Sequence, residues 1–105
     1  MYMLLAILVS AFQVLYRAEV PTFGCNSSAE VVELRKMRAD PEAFLKRLQA
    51  QMVYGQCIAI DKGAVVEGTI EKADTSVLRI NADKDPPGYM VPLDDFKPVR
   101  VGGKQ

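Results

Sequence analysis

The chain has 105 residues, room for one domain of ordinary size. Its 13 Lys and Arg balance 13 Asp and Glu, so the basic excess of a nucleic-acid binder is missing and no nucleic-acid partner is expected. Histidine is absent, which removes the commonest general base and metal ligand, and a charged fraction of 25% is that of a folded domain rather than a disordered one.

The chain opens on MYMLLAILVSAFQVLY, with no charged side chain before Arg17. A spanning helix needs about 20 apolar residues, and a secretory signal needs an apolar stretch of about 7–15 with a small-residue cleavage site. Residues 1–18 therefore read as an export signal, with a retained membrane anchor or an ordinary core helix as alternatives. Two cleavage sites offer themselves: Val9-Ser10-Ala11, which comes early, and Tyr16-Arg17-Ala18, which is better placed but carries a bulky Tyr16. The following TFGC has a small residue before Cys25, as lipoprotein sites do, but Arg17, Glu19 and Pro21 separate it from the apolar run. Residues 19–26 are expected to be a linker.

Cys25 and Cys57 are the only cysteines. An even count downstream of an export-like segment reads as one disulfide, Cys25–Cys57. Free thiols are the alternative in a reducing compartment, and a redox pair lacks the C-x-x-C spacing. Asn26-Ser27-Ser28 matches a glycosylation acceptor, although the same residues suit the start of a helix better.

A helical region is expected over 27–55. Ser27 stands three residues before Glu30, a capping-box pattern, and Val31, Leu34 and Met37 follow at three-residue spacing. Asp40 and Pro41 restart the signal as N-cap and first helical residue, and Phe44, Leu45, Leu48 and Met52 make one apolar stripe before Gly55. This predicts two short helices broken at Ala39–Asp40, or one helix kinked at Pro41. Arg35, Lys36, Arg38, Lys46 and Arg47 interleave with Glu30, Glu33 and Glu42, a solvated face with local i,i+3 and i,i+4 pairs.

Strands are expected over 56–101, with a tail at 102–105. QCIAID leads to a Lys62-Gly63 turn. In AVVEGTIEK, Val66, Gly68 and Ile70 alternate with Glu67, Thr69 and Glu71, the period of a half-buried strand. SVLRIN and GYMVPL are further strands, separated by the Pro- and Gly-containing ADKDPPG loop. DDF reads as a single 3₁₀ turn before a last short strand, KPV. Short strands at this spacing suggest a small closed sheet.

The stretch KGAVVEGTIEKADTSVLRINADKDPPGYMVPLDDFKPV resembles a bacterial SH3-like domain. Gly88, Tyr89, Val91, Phe96, Pro98 and Val99 carry the likeness, whereas the tryptophan usual before the third strand is replaced by SVLRI. The resemblance implies a small antiparallel β-barrel used as a binding or targeting module, often at the cell envelope. The expected fold class is thus α+β: an N-terminal helical arm on a small SH3-like antiparallel β-barrel.

No catalytic constellation emerges. Asp83, Asp85, Asp94 and Asp95 lack the register of a calcium loop, and Gly102-Gly103 precede no helix that could hold a phosphate. No enzyme activity, cofactor or metal is expected. The expected function is a non-enzymatic binding or structural module of the bacterial cell envelope, periplasmic or secreted, with a protein or other envelope partner. Tyr54, Tyr89, Met90 and Phe96 are the candidate binding face, with core packing as their other use. A membrane-anchored accessory subunit at the inner membrane is one alternative, with residues 1–17 retained, and a small thiol-redox factor is another.

Overall fold

The computed structural model describes residues 14–80 and 88–99. Seven strands and two helices follow in chain order: β1 (Val14–Ala18), β2 (Thr22–Cys25), α1 (Ser28–Met37), α2 (Pro41–Val53), β3 (Cys57–Ile60), β4 (Val65–Ile70), β5 (Val77–Ile80), β6 (Tyr89–Pro92) and β7 (Phe96–Val99). A 3₁₀ turn, Leu93–Asp95, joins β6 to β7. All strand pairs are antiparallel, in one sheet of order β3-β2-β6-β5-β4-β1-β7.

The expected first segment, 1–18, is divided. Residues 1–13 lie outside the described residues, and 14–18 form β1, with β4 on one side and β7 on the other. Tyr16 and Ala18 alternate into the core while Arg17 points away from it. The expected linker holds β2, whose four residues are all buried. Gly24 is required there, because a Cβ would stand 3.0 Å from Val91 Cγ1 and 3.3 Å from the Met90 carbonyl oxygen.

The helices form where local chemistry directs them. The Ser27 hydroxyl accepts from the Glu30 N–H, and the Asp40 carboxylate accepts from the Ala43 N–H. Pro41 opens α2, and Gly55, at φ 74°, ends the helical region in the left-handed conformation. The break between the helices is Arg38–Asp40.

Period two sorts the sheet residues into two cores. On one face, Phe23, Cys25, Cys57, Val77 and Met90 meet Val31 and Leu34 of α1 and Leu48 of α2. On the other, Tyr16, Ala18, Ile60, Leu78, Ile80, Val91 and Phe96 form a second core. That second core joins Ile60 of β3 to Phe96 of β7, strands at opposite ends of the order. Six strand spacings of a flat sheet would separate them by about 29 Å. The sheet is therefore curled around this core. The turn after β3 crosses to β1, where Gly63 N–H donates to the Ala18 carbonyl (2.8 Å) and Ala18 N–H to the Ala64 carbonyl (2.9 Å).

This corrects the expected closed SH3-like barrel with an N-terminal helical arm. The sheet is open, since β3 and β7 pair with one neighbour each and not with one another. β7 carries Pro98, which has no N–H to offer a further strand. The helices are no N-terminal arm: two strands precede them, and they form an excursion between β2 and β3.

Candidate interaction surface

The excursion is closed at its base. Cys25 and Cys57 stand directly opposite in the β2–β3 ladder, with Cα atoms 4.0 Å apart, and are joined by a disulfide. The Asn26 N–H donates to the Gln56 carbonyl one step further on, which leaves the cysteines at a non-hydrogen-bonded pair, where side chains approach most closely. Both sulfur-bearing residues are buried, and α1 and α2 lie within the loop they close.

A polar clasp fixes the excursion to the far end of the sheet. Arg38, just past α1, donates to both carboxylate oxygens of Asp95, at 3.1 Å and 2.6 Å. Thr22 Oγ1 donates to Asp95 Oδ2 at 2.6 Å. The Arg38 guanidinium also lies 5.1 Å from the Phe23 ring centre and 5.7 Å from that of Phe44, rings that meet edge to face. Next to it, Arg35 pairs with Asp94. The 3₁₀ turn thus presents two carboxylates to Arg35 of α1 and to Arg38 just past it.

A second pair ties the helices together. Arg47 of α2 donates through Nε and Nη2 to the two carboxylate oxygens of Glu30 on α1, at 2.7 Å and 2.8 Å. These bonds hold the Glu30 carboxyl below its usual value and the Arg47 guanidinium above its own. The basic residues are therefore not the locally paired face that their spacing predicts. Arg35, Arg38 and Arg47 reach carboxylates on other elements, which no i,i+4 rule could show.

With the excursion so anchored, one side of α2 is left in water. Leu48 is buried and Phe44 half-buried, but Leu45 is 53% exposed, Met52 41%, Val53 83% and Tyr54 75%. Leu45 and Met52 are seven positions apart, two turns along one side of the helix, while Val53 stands about 100° round from Met52 and Tyr54 caps the end. The expected single stripe of Phe44, Leu45, Leu48 and Met52 is wider than the face that α2 buries. Its outer half is exposed.

The four residues expected to form a binding face are not brought together. Tyr54 is exposed at the end of α2. Tyr89 is half-buried against the inner core, while Met90, its neighbour on β6, is buried in the helix-side core. Phe96 is buried in the inner core. The signal that could have found the outer face of α2 lies in Phe44-Leu45 and Met52-Val53-Tyr54, adjacent apolar residues that one helix cannot all turn inward.

Asp83 and Asp85 lie outside the described residues, and Asp94 and Asp95 are taken by arginines. Among the described residues no group of three or more Cys, Asp or Glu side chains could hold a metal ion. No helix among them is long and apolar enough to cross a membrane. No protein-family model, curated protein or solved structure matches this chain.

Proposed function

We infer that this protein is a non-enzymatic binding module of the bacterial cell envelope, held in shape by the Cys25–Cys57 disulfide, and that it takes a protein partner on the outer side of α2. The observation that carries the reading is the exposure of Leu45, Met52, Val53 and Tyr54 on a helix otherwise pinned by a disulfide and two arginine clasps. Exposed apolar side chains on one element are candidates for an interaction site, and tyrosine and methionine are enriched in such sites. A rigid support reduces the ordering cost of binding.

The disulfide supports a periplasmic or secreted location, because such bonds persist in oxidising compartments. Burial of both cysteines favours a structural bond over an exchanging one, since thiol exchange needs an accessible sulfur. Affinity capture tests the reading, with the native chain and its Val53→Asp and Tyr54→Asp variants as bait against envelope extracts. The expected result is one partner retained by the native chain and lost by both variants at unchanged melting temperature. Equal capture by all three baits contradicts the reading.

A further inference from the structure

We propose that the partner is taken as an added β-strand: an extended, uncharged segment of another protein pairs with the outer edge of β3 and packs under the outer side of α2. The inference rests on the reading above and adds to it the chemistry of the partner. The two edges of the sheet carry it, because they are not alike.

At β7, the Glu19 N–H donates to the Asp95 carbonyl, which sets the phase of the ladder with β1: Lys97 and Val99 turn their backbone groups towards β1, and Phe96 and Pro98 turn theirs to the free side. The Phe96 N–H donates back to the Leu93 carbonyl, and Pro98 has no N–H. This edge therefore offers no donor to a further strand, and Lys97 and Pro98 are residues that guard natural edges.

β3 carries neither guard. The Asn26–Gln56 hydrogen bond sets its phase, so Ile58 and Ile60 turn their backbone groups towards Gly24 and Thr22, and Cys57 and Ala59 turn theirs away. Cys57 is buried, but Ala59 is exposed. Among the described residues no backbone group pairs with the Ala59 N–H or carbonyl, nor with the N–H of exposed Asp61, the next residue after the strand. These are the groups that an added strand pairs with.

The exposed side of α2 overhangs this edge. α1 packs on β2, β5 and β6, and α2 stands beside it on β3. Arg47 faces α1, where it meets Glu30. Leu45 and Met52 stand about 160° and about 140° round the helix from Arg47, on the flank away from α1 and beyond β3. A segment paired with Ala59 runs beneath that flank, with alternate side chains towards Leu45 and Met52 and the others beside half-buried Ile58. Both its faces then meet apolar groups, and β3 has no charged side chain to pair with a charge, so the matching segment is a run of Val- or Ile-like residues. A second copy joined antiparallel at β3 fits less well. It would set two α2 helices about one strand spacing apart, about 5 Å, where packed helices need about 8–10 Å.

The test is photo-crosslinking in intact cells from a photoreactive phenylalanine analogue at Met52, in the native chain and in chains that also carry Ala59→Pro or Ala59→Val. Proline removes the outward N–H and leaves the ladder to β2 intact, because Ala59 stands at a non-hydrogen-bonded pair with Phe23; valine keeps the N–H. The expected result is an adduct with a second protein that falls at least tenfold with Ala59→Pro and persists with Ala59→Val. Native-level crosslinking by the proline variant, or an equal fall with valine, overturns strand addition and leaves the reading of α2 standing. No adduct from Met52 in any chain overturns both. An adduct with the mass of two copies of this chain overturns the proposed occupant. Circular dichroism checks the fold of Ala59→Pro; should that variant not fold, Asp61→Pro removes the next N–H along the edge and carries the same expectations.

Discussion

Arg38 grips Asp95 through its two terminal guanidinium nitrogens, across 57 residues of sequence, and so joins the end of α1 to the turn between β6 and β7. The Asp95 side chain is nearly buried, whereas Arg38 keeps a third of its surface exposed. Asp95→Ala leaves the guanidinium without its anion and Thr22 Oγ1 without its acceptor. With partial screening of Arg38, the expected loss is about 2 kcal/mol of stability, a fall in Tm of roughly 8–16 °C for a domain of this size. Thermal unfolding by circular dichroism measures it. A fall under about 2 °C would show that the clasp is not a structural tie.

Reduction of Cys25–Cys57 releases the base of a loop whose ends are 32 residues apart. Chain entropy assigns the bond about 3–4 kcal/mol, a large share of the stability of so small a domain. Urea unfolding with and without reductant, and of the Cys25→Ser/Cys57→Ser variant, is expected to show a lower midpoint for both. Equal midpoints would contradict a structural role for the bond.

At Gly68 a Cβ would stand 2.9 Å from two carbons of Leu78, a fully buried side chain that would have to shift within a packed core. Gly68→Ala is expected to cost about 1–3 kcal/mol by overpacking. In a Leu78→Ala background the same substitution should cost much less, since the obstructing carbons are gone. Additive losses in this cycle would place the cause elsewhere.

The Glu30–Arg47 pair predicts a pH dependence. The folded Glu30 carboxyl titrates below its unfolded value, so the folded state favours the ion. Its contribution is complete above the unfolded pKa and is lost as pH falls through the folded one. Arg47 is well exposed, so the pair is worth at most about 1 kcal/mol. The native chain should therefore melt above Glu30→Gln at pH 7, with the gap closing below about pH 4. A gap that is constant from pH 7 to pH 3 would remove the ion pair from the explanation.

How much of this was legible in the sequence follows the range of the interactions. The helix ends at Ser27, Asp40, Pro41 and Gly55 were legible, because a cap is a contact across three residues. β4 was legible from alternation and β5 and β6 as short apolar runs between turn signals, and the 3₁₀ turn was legible one residue late, at Asp94–Phe96 rather than Leu93–Asp95. β1 was not, because Val14-Leu15-Tyr16 ends a mostly apolar run, broken only by Ser10 and Gln13, in which period two leaves no trace. β2 is buried on both faces and likewise does not alternate. Closure of the sheet depends on whether β3 meets β7, a pairing of distant segments that local pattern cannot decide. The disulfide was legible from the cysteine count together with the export-like opening, but its place in a β2–β3 ladder was not. That Tyr89 and Met90 lie on opposite faces was legible in the sequence, because they are adjacent in a strand.

The central claim is that partners are taken on the outer side of α2. The direct measurement is photo-crosslinking in intact cells, with a photoreactive phenylalanine analogue placed at Val53, at Tyr54 or at Lys97. Lys97 is exposed on β7 and serves as the control. The expected result is one discrete adduct from positions 53 and 54 and none from 97. Adducts from all three positions alike, or from 97 alone, would contradict the claim.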